Sequence, residues 1–146
     1  MKIPDLNVLL YAVDDTSARH AQARAWLEEQ LSGSETTGFA WAVLVGFVRL
    51  ATNPRVFAAP LDSGRALEIA RGWLAQPCSV AVDPTDRHLE IMDELLAPLG
   101  TAGNLTSDAH LAALAIEHGA EIVTYDGDFG RFPRVRRHEP GVRTDG

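Results

Sequence analysis

Hydrophobic residues along this chain follow two spacings, one typical of helices and one typical of strands. In six stretches they recur every three or four residues, which places them on one face of a helix. This spacing predicts helices over 6–13, 17–33, 41–53, 61–76, 84–100 and 106–119. Short apolar runs bounded by polar residues, Gly or Pro predict strands over 1–5, 36–40, 78–82, 120–125 and 134–138. Strands that alternate with helices in this way predict an α/β fold, with a parallel sheet covered by helices on both faces.

Particular residues define the predicted ends of these elements. Side chains expected to cap helix N-termini are Asn7, Ser17, Asp62 and either Thr106 or Ser107. Gly119 is expected to end the helix over 106–119. The strand over 78–82 is expected to be buried, and the strand over 134–138 to lie at the edge of the sheet.

Composition narrows the class of protein. A chain of 146 residues fits one domain, which we place at 1–140, followed by a disordered tail over 141–146. The single cysteine, Cys78, excludes an internal disulfide framework and fits a reducing compartment. Neither a signal peptide nor an apolar run of about 20 residues is found, so we expect a cytoplasmic protein without a membrane span.

The charge of the chain bears on its partners. A net charge of −7 argues against nonspecific nucleic-acid binding through the overall field. It does not exclude a local basic patch. All but one of the 13 basic residues are Arg. Four of them lie close together, at Arg131, Arg134, Arg136 and Arg137. Arg suits bidentate contact with phosphate or carboxylate. This cluster either follows an RNA backbone, binds the rim of an acidic pocket or an acidic partner, or is solvated.

Acidic residues stand at the ends of predicted elements. Asp5 ends the first strand, Asp126 follows the strand over 120–125, and Asp108 lies in the first turn of the preceding helix. Ligand sites in parallel sheets lie beyond the carboxyl ends of the strands, so these acids can meet in one pocket. Clustered carboxylates attract cations, and oxygen ligands favour Mg²⁺ or Mn²⁺ over Zn²⁺. The residues alone leave another interpretation open: Asp108 as a helix-terminal acid, Asp126 and Asp128 as turn residues.

Three blocks of sequence carry a family resemblance. They are "PDLNVLLYA", "FVRLATNPRVF" and "GNLTSDAHLAALAIEHGAEIVTYDGDFGRFP", in that order along the chain. Over about residues 3–137 the chain resembles the PIN-domain ribonucleases, and most of all the VapC toxins of VapBC toxin–antitoxin systems. The resemblance implies one PIN domain, a three-layer α/β/α sandwich with a central parallel sheet.

The resemblance also implies a function and a site. Family members bind Mg²⁺ or Mn²⁺ in an acidic pocket and hydrolyse RNA. Matched by position, the catalytic and metal-binding residues are Asp5, Asp108 and Asp126, with Asp128 as an auxiliary acid at the metal. A VapB-type antitoxin, a homodimer, and transfer or ribosomal RNA as substrate are further implications.

One position departs from the family pattern. The family usually has a Glu in a stretch resembling "VLxEF", where this chain reads "VLVGF" and has Gly46. Glycine has no side chain to bind a metal, and it costs about 1 kcal/mol in a helix interior relative to Ala. Three interpretations are open. The pocket works with three acids and one metal, Asp128 or another acid takes the place of the glutamate, or the activity is lowered.

Several other residues are candidates for supporting roles. Asn7 either caps a helix, which we favour, or orients Asp5 and the water of the metal. Thr124 resembles a small hydroxyl residue that supports the family's pocket, or is simply a buried strand residue. Arg49, Arg55 and Arg131 are candidate RNA-binding residues, although for Arg49 and Arg55 a solvated charge at a helix end is the commoner case. His110 is expected on a different helix face from Asp108 and is assigned no role.

The sequence therefore predicts a Mg²⁺-dependent endoribonuclease toxin that hydrolyses an RNA phosphodiester with a metal-activated water. The alternative is a PIN-fold module that binds RNA or antitoxin, with catalysis weakened by Gly46. A phosphoacceptor receiver or a haloacid-dehalogenase-like phosphatase also places acids at strand ends. Lys2 is the only lysine, so the late lysine of a receiver is absent, and "PDLNV" lacks the second Asp of the phosphatase motif.

Overall fold

The fold is a parallel five-stranded sheet flanked by helices, as seen in a computed structural model that describes residues 1–142. The strands are β1 (Lys2–Pro4), β2 (Thr37–Ala40), β3 (Ser79–Val82), β4 (Glu121–Val123) and β5 (Arg137–His138). The helices are α1 (Leu6–Val13), α2 (His20–Ser32), α3 (Trp41–Ala51), α4 (Ser63–Leu74), α5 (His88–Leu96) and α6 (Thr106–Glu117). Short 3₁₀ helices occupy Ala97–Leu99, Gly103–Leu105 and Gly127–Arg131. The predicted element order and the parallel sheet are confirmed.

The strand order in the sheet determines where a site can form. The order is β3-β2-β1-β4-β5, and every neighbouring pair is parallel, with Ile3 opposite Ile122 at the centre. The chain moves outward from β1 to β3, then crosses to β4 on the other side of β1. The carboxyl ends of β1 and β4 are therefore the point where the topology reverses, which is where open α/β sheets bind ligands.

Helices cover both faces of the sheet and form the outer layers of a three-layer sandwich. Crossovers between parallel strands are right-handed, which places α1 to α4 on one face and α5 with α6 on the other. The packing agrees, since α1 contacts α2 and α3, α3 contacts α4, and α5 contacts α6. Four fully buried phenylalanines, Phe39, Phe47, Phe129 and Phe132, are among the largest core side chains.

Several predicted helix caps are wrong, and the differences matter at the site. Asp5 caps α1 in place of Asn7. β1 ends at Pro4, so Asp5 is the last extended residue before the helix begins at Leu6. Ser17 lies in a turn ahead of α2, where its carbonyl accepts from the backbone N–H of His20. No side chain caps α6: Thr106 Oγ1 donates instead to the Gly103 carbonyl.

Other predicted ends are confirmed. Asp62 caps α4 by accepting from the backbone N–H of Arg65 at 2.8 Å. Gly119, with a φ of 60°, follows α6 in the left-handed conformation that glycine adopts without steric cost. The left-handed turn lets the Ala120 N–H donate to the Ala115 carbonyl at 2.8 Å, and so directs the chain into β4.

Strand burial differs from expectation at one side of the sheet. β3 was expected to be buried but is an edge strand, and Val80 is 41% exposed. β5 is an edge strand, as predicted. Of the tail predicted over 141–146, the last four residues lie outside those that the structure describes. Val142 closes a turn through its N–H to the Glu139 carbonyl. No helix among residues 1–142 is long and apolar enough to span a membrane.

Candidate metal centre

Three carboxylates converge at the start of α6 and the end of β4. Oxygen atoms of Asp108, Asp126 and Asp128 lie within 4.8 Å of one another. Asp108 comes from the first turn of α6, and Asp126 and Asp128 from the turn that follows β4. Asp126 Oδ1 accepts from the backbone N–H of Asp128 at 2.8 Å, which orders this turn. The structure thus brings together two of the three predicted catalytic acids with the predicted auxiliary acid.

Asp5 stands beside this group and is held by its own hydrogen bonds. Its carboxylate accepts from the Leu6 N–H at 2.7 Å, the Thr124 hydroxyl at 2.8 Å and the Asn7 amide at 3.3 Å. Asp5 does not belong to the group within 4.8 Å. Its position at the end of β1 follows from the predicted topology, but its oxygens are largely committed to neighbouring protein groups.

Asn7 and Thr124 join the two central strands at this point. Thr124 is fully buried, and its hydroxyl oxygen accepts from the Asp126 N–H at 2.9 Å and from Asn7 at 3.2 Å. Asn7 Oδ1 accepts from the Tyr125 N–H at 3.2 Å. The two side chains therefore connect Asp5 to the backbone before Asp126. This placement replaces the predicted cap role of Asn7.

The electrostatics of the acids favour neutralisation. The pKa of Asp108 is raised to about 6, first by burial and then by the negative charges of Asp126, Asp5 and Asp128. The pKa of Asp5 is also raised, because burial outweighs the hydrogen bonds from Thr124 and Leu6. A cation between the carboxylates would offset their mutual repulsion, which adds to the effect of burial on the pKa of Asp108.

The donor atoms define which metal fits. Every ligand atom in the group is a carboxylate oxygen, and no cysteine or histidine belongs to it within the described part of the chain. Hard oxygen donors suit Mg²⁺ and Mn²⁺, whereas Zn²⁺ sites usually include nitrogen or sulfur. The residues present thus fit a hard divalent cation.

A cavity of about 520 Å³ opens next to the acids, between the two helical layers. Asp5 and Asp108 form its acidic wall, with Arg49 from α3 also on its lining. Asp108 belongs both to the carboxylate group and to this cavity. The cavity therefore offers room for part of a substrate directly beside the acids.

Gly46 lies on the cavity wall, and a neighbouring side chain occupies the space beside it. A Cβ atom built on Gly46 would lie 3.0 Å from Leu6 Cδ2. Leu6 also lines the cavity. A larger residue at this position would therefore press on an apolar side chain from α1, which would have to shift by a few tenths of an ångström. The glycine and the leucine fit each other, a relation that neither residue reveals alone in the sequence.

The three predicted RNA-binding arginines are dispersed. Arg49 lies on the cavity wall, and Arg131 lies 3.8 Å from the Asp128 carboxylate, both at the site. Arg55 is exposed in the turn after α3 and does not line the cavity. Elsewhere in the basic cluster, Arg134 pairs with Glu94 and Arg136 donates to the Gly119 carbonyl. Only part of the cluster is therefore free to meet a ligand.

His110 lies at the cavity, a position that was not predicted from the sequence. His110 was expected on a different helix face from Asp108, yet both line the cavity because it extends around the N-terminal turn of α6 towards α5. The signal that could have revealed it is His88, whose ring lies 2.8 Å from that of His110 across the two helices.

Comparison with known proteins identifies the family. The PIN domain model matches residues 2–135. Ribonuclease VapC37 of Mycobacterium tuberculosis is 52% identical over 140 residues, which cover 96% of this chain and 97% of that protein. Ribonuclease VapC33 of the same species is 44% identical over 96% of this chain and 98% of its own length.

The fold agrees with that assignment. A chain in the crystal structure of VapBC2 from Rickettsia felis, bound to a DNA fragment from its promoter, superposes with a TM-score of 0.70. The superposition covers 95% of this chain and 98% of that chain at 19% identity, and so supports the fold alone. On the family match and the identity to its relatives, the chain belongs to the PIN-domain family and, within it, to the VapC ribonuclease toxins of VapBC systems.

Proposed function

We propose that this protein is an endoribonuclease that requires Mg²⁺ or Mn²⁺ and hydrolyses an RNA phosphodiester. The observation that carries the proposal is the group of three carboxylates, with Asp108 shared between that group and the neighbouring cavity. Asp108, Asp126 and Asp128 would hold the cation. When bound, the cation would supply an activated water and offset the charge that develops on the phosphodiester.

The remaining site residues have distinct proposed roles. Asp5 contributes negative charge beside the group, and its orientation is fixed by Thr124 and Asn7. Arg49, on the cavity wall, and Arg131, beside Asp128, would contact RNA phosphates. The exposed Arg55 would contact RNA farther from the cut.

Asp128 would compensate for the carboxylate that is missing at position 46. Gly46 provides no carboxylate, and Leu6 occupies the adjacent space. Asp128, in contrast, lies within reach of both Asp108 and Asp126. The turn after β4 would therefore supply a third carboxylate to the cation, beside those of Asp108 and Asp126, without any acid from α3.

Partners follow from the same proposal. A VapB-type antitoxin would restrain the nuclease, as supported by the likeness to a chain of a VapBC complex. A basic side chain from such an antitoxin would be attracted to the clustered carboxylates. A homodimer, transfer or ribosomal RNA as the target, and a cytoplasmic location are further parts of the proposal; the single cysteine fits that compartment.

The test is cleavage of a total-RNA pool by purified protein with Mg²⁺, Mn²⁺ or EDTA. Asp108→Asn removes one carboxylate of the group. Asp93→Asn, at an exposed acid on α5 outside the cavity, is the matched control for lost charge. We expect discrete fragments that require metal, disappear with Asp108→Asn and persist with Asp93→Asn. Cleavage that survives EDTA or Asp108→Asn would refute the proposed site.

A second candidate function is a PIN-fold module that binds RNA or antitoxin without cleavage. The apolar contact between Leu6 and Gly46, where the family usually has an acid, favours it. Folded wild-type protein that binds RNA but gives no fragments with either metal would support this alternative.

A further inference from the structure

A series of hydrogen-bonded polar side chains links the far end of α6 to the cavity beside the acids. The Glu117 carboxylate accepts from the Thr85 hydroxyl at 2.7 Å and lies 2.9 Å from His88 Nδ1. His88 Nε2 lies 2.8 Å from His110 Nδ1. The Glu117 side chain is 1% exposed and that of His88 is 10% exposed, so little water reaches the bond between them.

The charge of Glu117 determines the direction of the hydrogen bonds among these side chains. An ionised carboxylate can only accept, so the Nδ1–H of His88 donates the hydrogen bond to Glu117. When both rings are neutral, His88 Nε2 is then an acceptor, and the single proton between the rings belongs to His110 Nδ1. The remaining ring nitrogen of His110, Nε2, is left with a free lone pair.

His110 Nε2 is open to the solvent of the cavity. Nδ1 is committed to His88, and Nε2 has no hydrogen bond to any described residue. No buried side-chain nitrogen or oxygen within residues 1–142 lacks a partner, so Nε2 is accessible and not buried. His110 lines the cavity together with Asp5 and Asp108. A hydrogen-bond acceptor is thus fixed in orientation at the wall of the candidate site.

Helix packing does not require this arrangement. The link between Glu117 and His88 would join α5 to α6 without a histidine at 110. A buried ionic group is also often no more stabilising than apolar residues of similar size. The third member of the series adds a polar atom that faces the cavity, and a role in ligand binding accounts for that atom.

We propose that His110 contacts the RNA substrate, with Nε2 accepting a hydrogen bond from a donor on a nucleotide next to the cut. His88 and Glu117 are positioning residues that fix the His110 ring. This inference rests on the proposed ribonuclease function. His110 Nε2 is an acceptor, so the complementary RNA group is a donor: a ribose 2′-hydroxyl or an exocyclic base amine. A contact to the 2′-hydroxyl would also distinguish RNA from DNA.

Two substitutions separate the contact to RNA from the link to His88. His110→Asn places an amide near the position of Nδ1, where it can still donate to His88, but leaves nothing at the position of Nε2. His110→Gln places an amide oxygen near Nε2 and gives up the bond to His88. If His110 serves only to join the helices, Asn should be the milder change; if it contacts RNA, Gln should retain more activity.

The experiment uses a synthetic RNA that spans a cut site mapped with wild-type protein, assayed at pH 8. Two modified strands carry either 2′-deoxyribose or bases without exocyclic amines at the nucleotides that flank the cut. We expect His110→Asn to lower kcat/KM on the unmodified RNA by roughly two- to tenfold, the effect of one hydrogen bond. One modified strand should be cleaved equally by the wild type and this variant, which identifies the donor. Equal activity of wild type and His110→Asn on every strand would overturn the proposal.

A binding measurement keeps the proposal testable if the wild-type protein cleaves nothing. In the Asp108→Asn background, without added metal, fluorescence anisotropy measures affinity for labelled single-stranded RNA and DNA of one sequence. Adding His110→Asn should weaken RNA binding by roughly two- to tenfold. A selective loss for RNA indicates the 2′-hydroxyl, and an equal loss for RNA and DNA indicates a base amine. Unchanged affinity, or no RNA binding at all, would overturn the role of His110, whereas lack of cleavage alone contradicts only the proposed nuclease.

Discussion

Replacing Asp108 with Asn is expected to stabilise the metal-free protein at neutral pH while it removes activity. The folded protein raises the pKa of Asp108 from 3.8 to about 6, through burial and three neighbouring carboxylates. A rise of this size corresponds to a ceiling of about 3 kcal/mol against the ionised form. Asp108 is only half-buried and solvent screens its charge, so we expect about 1 to 1.5 kcal/mol.

The sign and the pH range of this effect follow from proton binding. Between pH 3.8 and about 6 the folded state holds the Asp108 proton more tightly than the unfolded state does. Stability of the wild type therefore falls as pH rises through this range, and the loss is complete above pH 6. Asn has no proton to lose, so the variant avoids the penalty. Its advantage should be absent near pH 3.8 and fully developed at pH 7.5.

The assay is urea unfolding in EDTA at a series of pH values from 4 to 8. Wild type, Asp108→Asn and Asp93→Asn are compared, since Asp93 is an exposed acid outside the cavity. Only Asp108→Asn should become more stable relative to the wild type as the pH rises. An Asp108→Asn protein that is less stable than wild type at pH 7.5, or an advantage that is independent of pH, would refute the electrostatic reasoning.

Three further predictions concern neighbouring residues. Gly46→Ala should change the free energy of unfolding of the otherwise wild-type protein by less than about 0.5 kcal/mol, because the new Cβ meets Leu6 at 3.0 Å. In a Leu6→Ala background this contact is gone, and the same substitution should add about 1 kcal/mol of stability through the higher helix propensity of Ala. Thr124→Val should cost about 1 to 3 kcal/mol in urea unfolding, because buried Asp5 loses the hydroxyl that donates to it. Arg131→Gln should change the free energy of unfolding by less than about 0.5 kcal/mol, because the ion pair of Arg131 with Asp128 is exposed. The substitution should weaken RNA binding and reduce the slope of log affinity against log salt concentration by about one.

Each of these predictions has a result that contradicts it. Additive effects of the Gly46 and Leu6 substitutions would show that the two positions do not interact. A Thr124→Val protein as stable as wild type would mean that Asp5 finds another donor. RNA binding with an unchanged salt slope in Arg131→Gln would place that side chain outside the RNA interface.

The sequence predicted the frame of the fold well because the frame depends on local patterns. Short apolar runs and helical spacing identified every strand and α-helix of the described chain in the right order. The same topology placed Asp5 at the end of β1 and Asp126 after β4, where parallel strands leave an open edge. Edge position was harder to predict: β3 reads as a buried strand from its residues, yet lies at the border of the sheet.

Contacts between distant segments could not be read in this way. Asn7 has the composition of a helix cap, but its side chain bonds to Thr124, 117 positions later, while Asp5 takes the cap. The fit of Leu6 to Gly46 depends on the packing of α1 against α3. Helical geometry alone separated His110 from Asp108, and only the packing of α5 beside α6 places both on one cavity.

Binding of a divalent cation by the carboxylates is the claim on which the rest of the account depends. Calorimetric titration of Mn²⁺ into EDTA-treated and dialysed protein tests it without requiring a known RNA target. We predict saturable binding to wild type and Asp93→Asn, and a loss of at least tenfold in affinity for Asp108→Asn. Absence of Mn²⁺ binding by folded wild-type protein, or equal affinity in Asp108→Asn, would contradict the account.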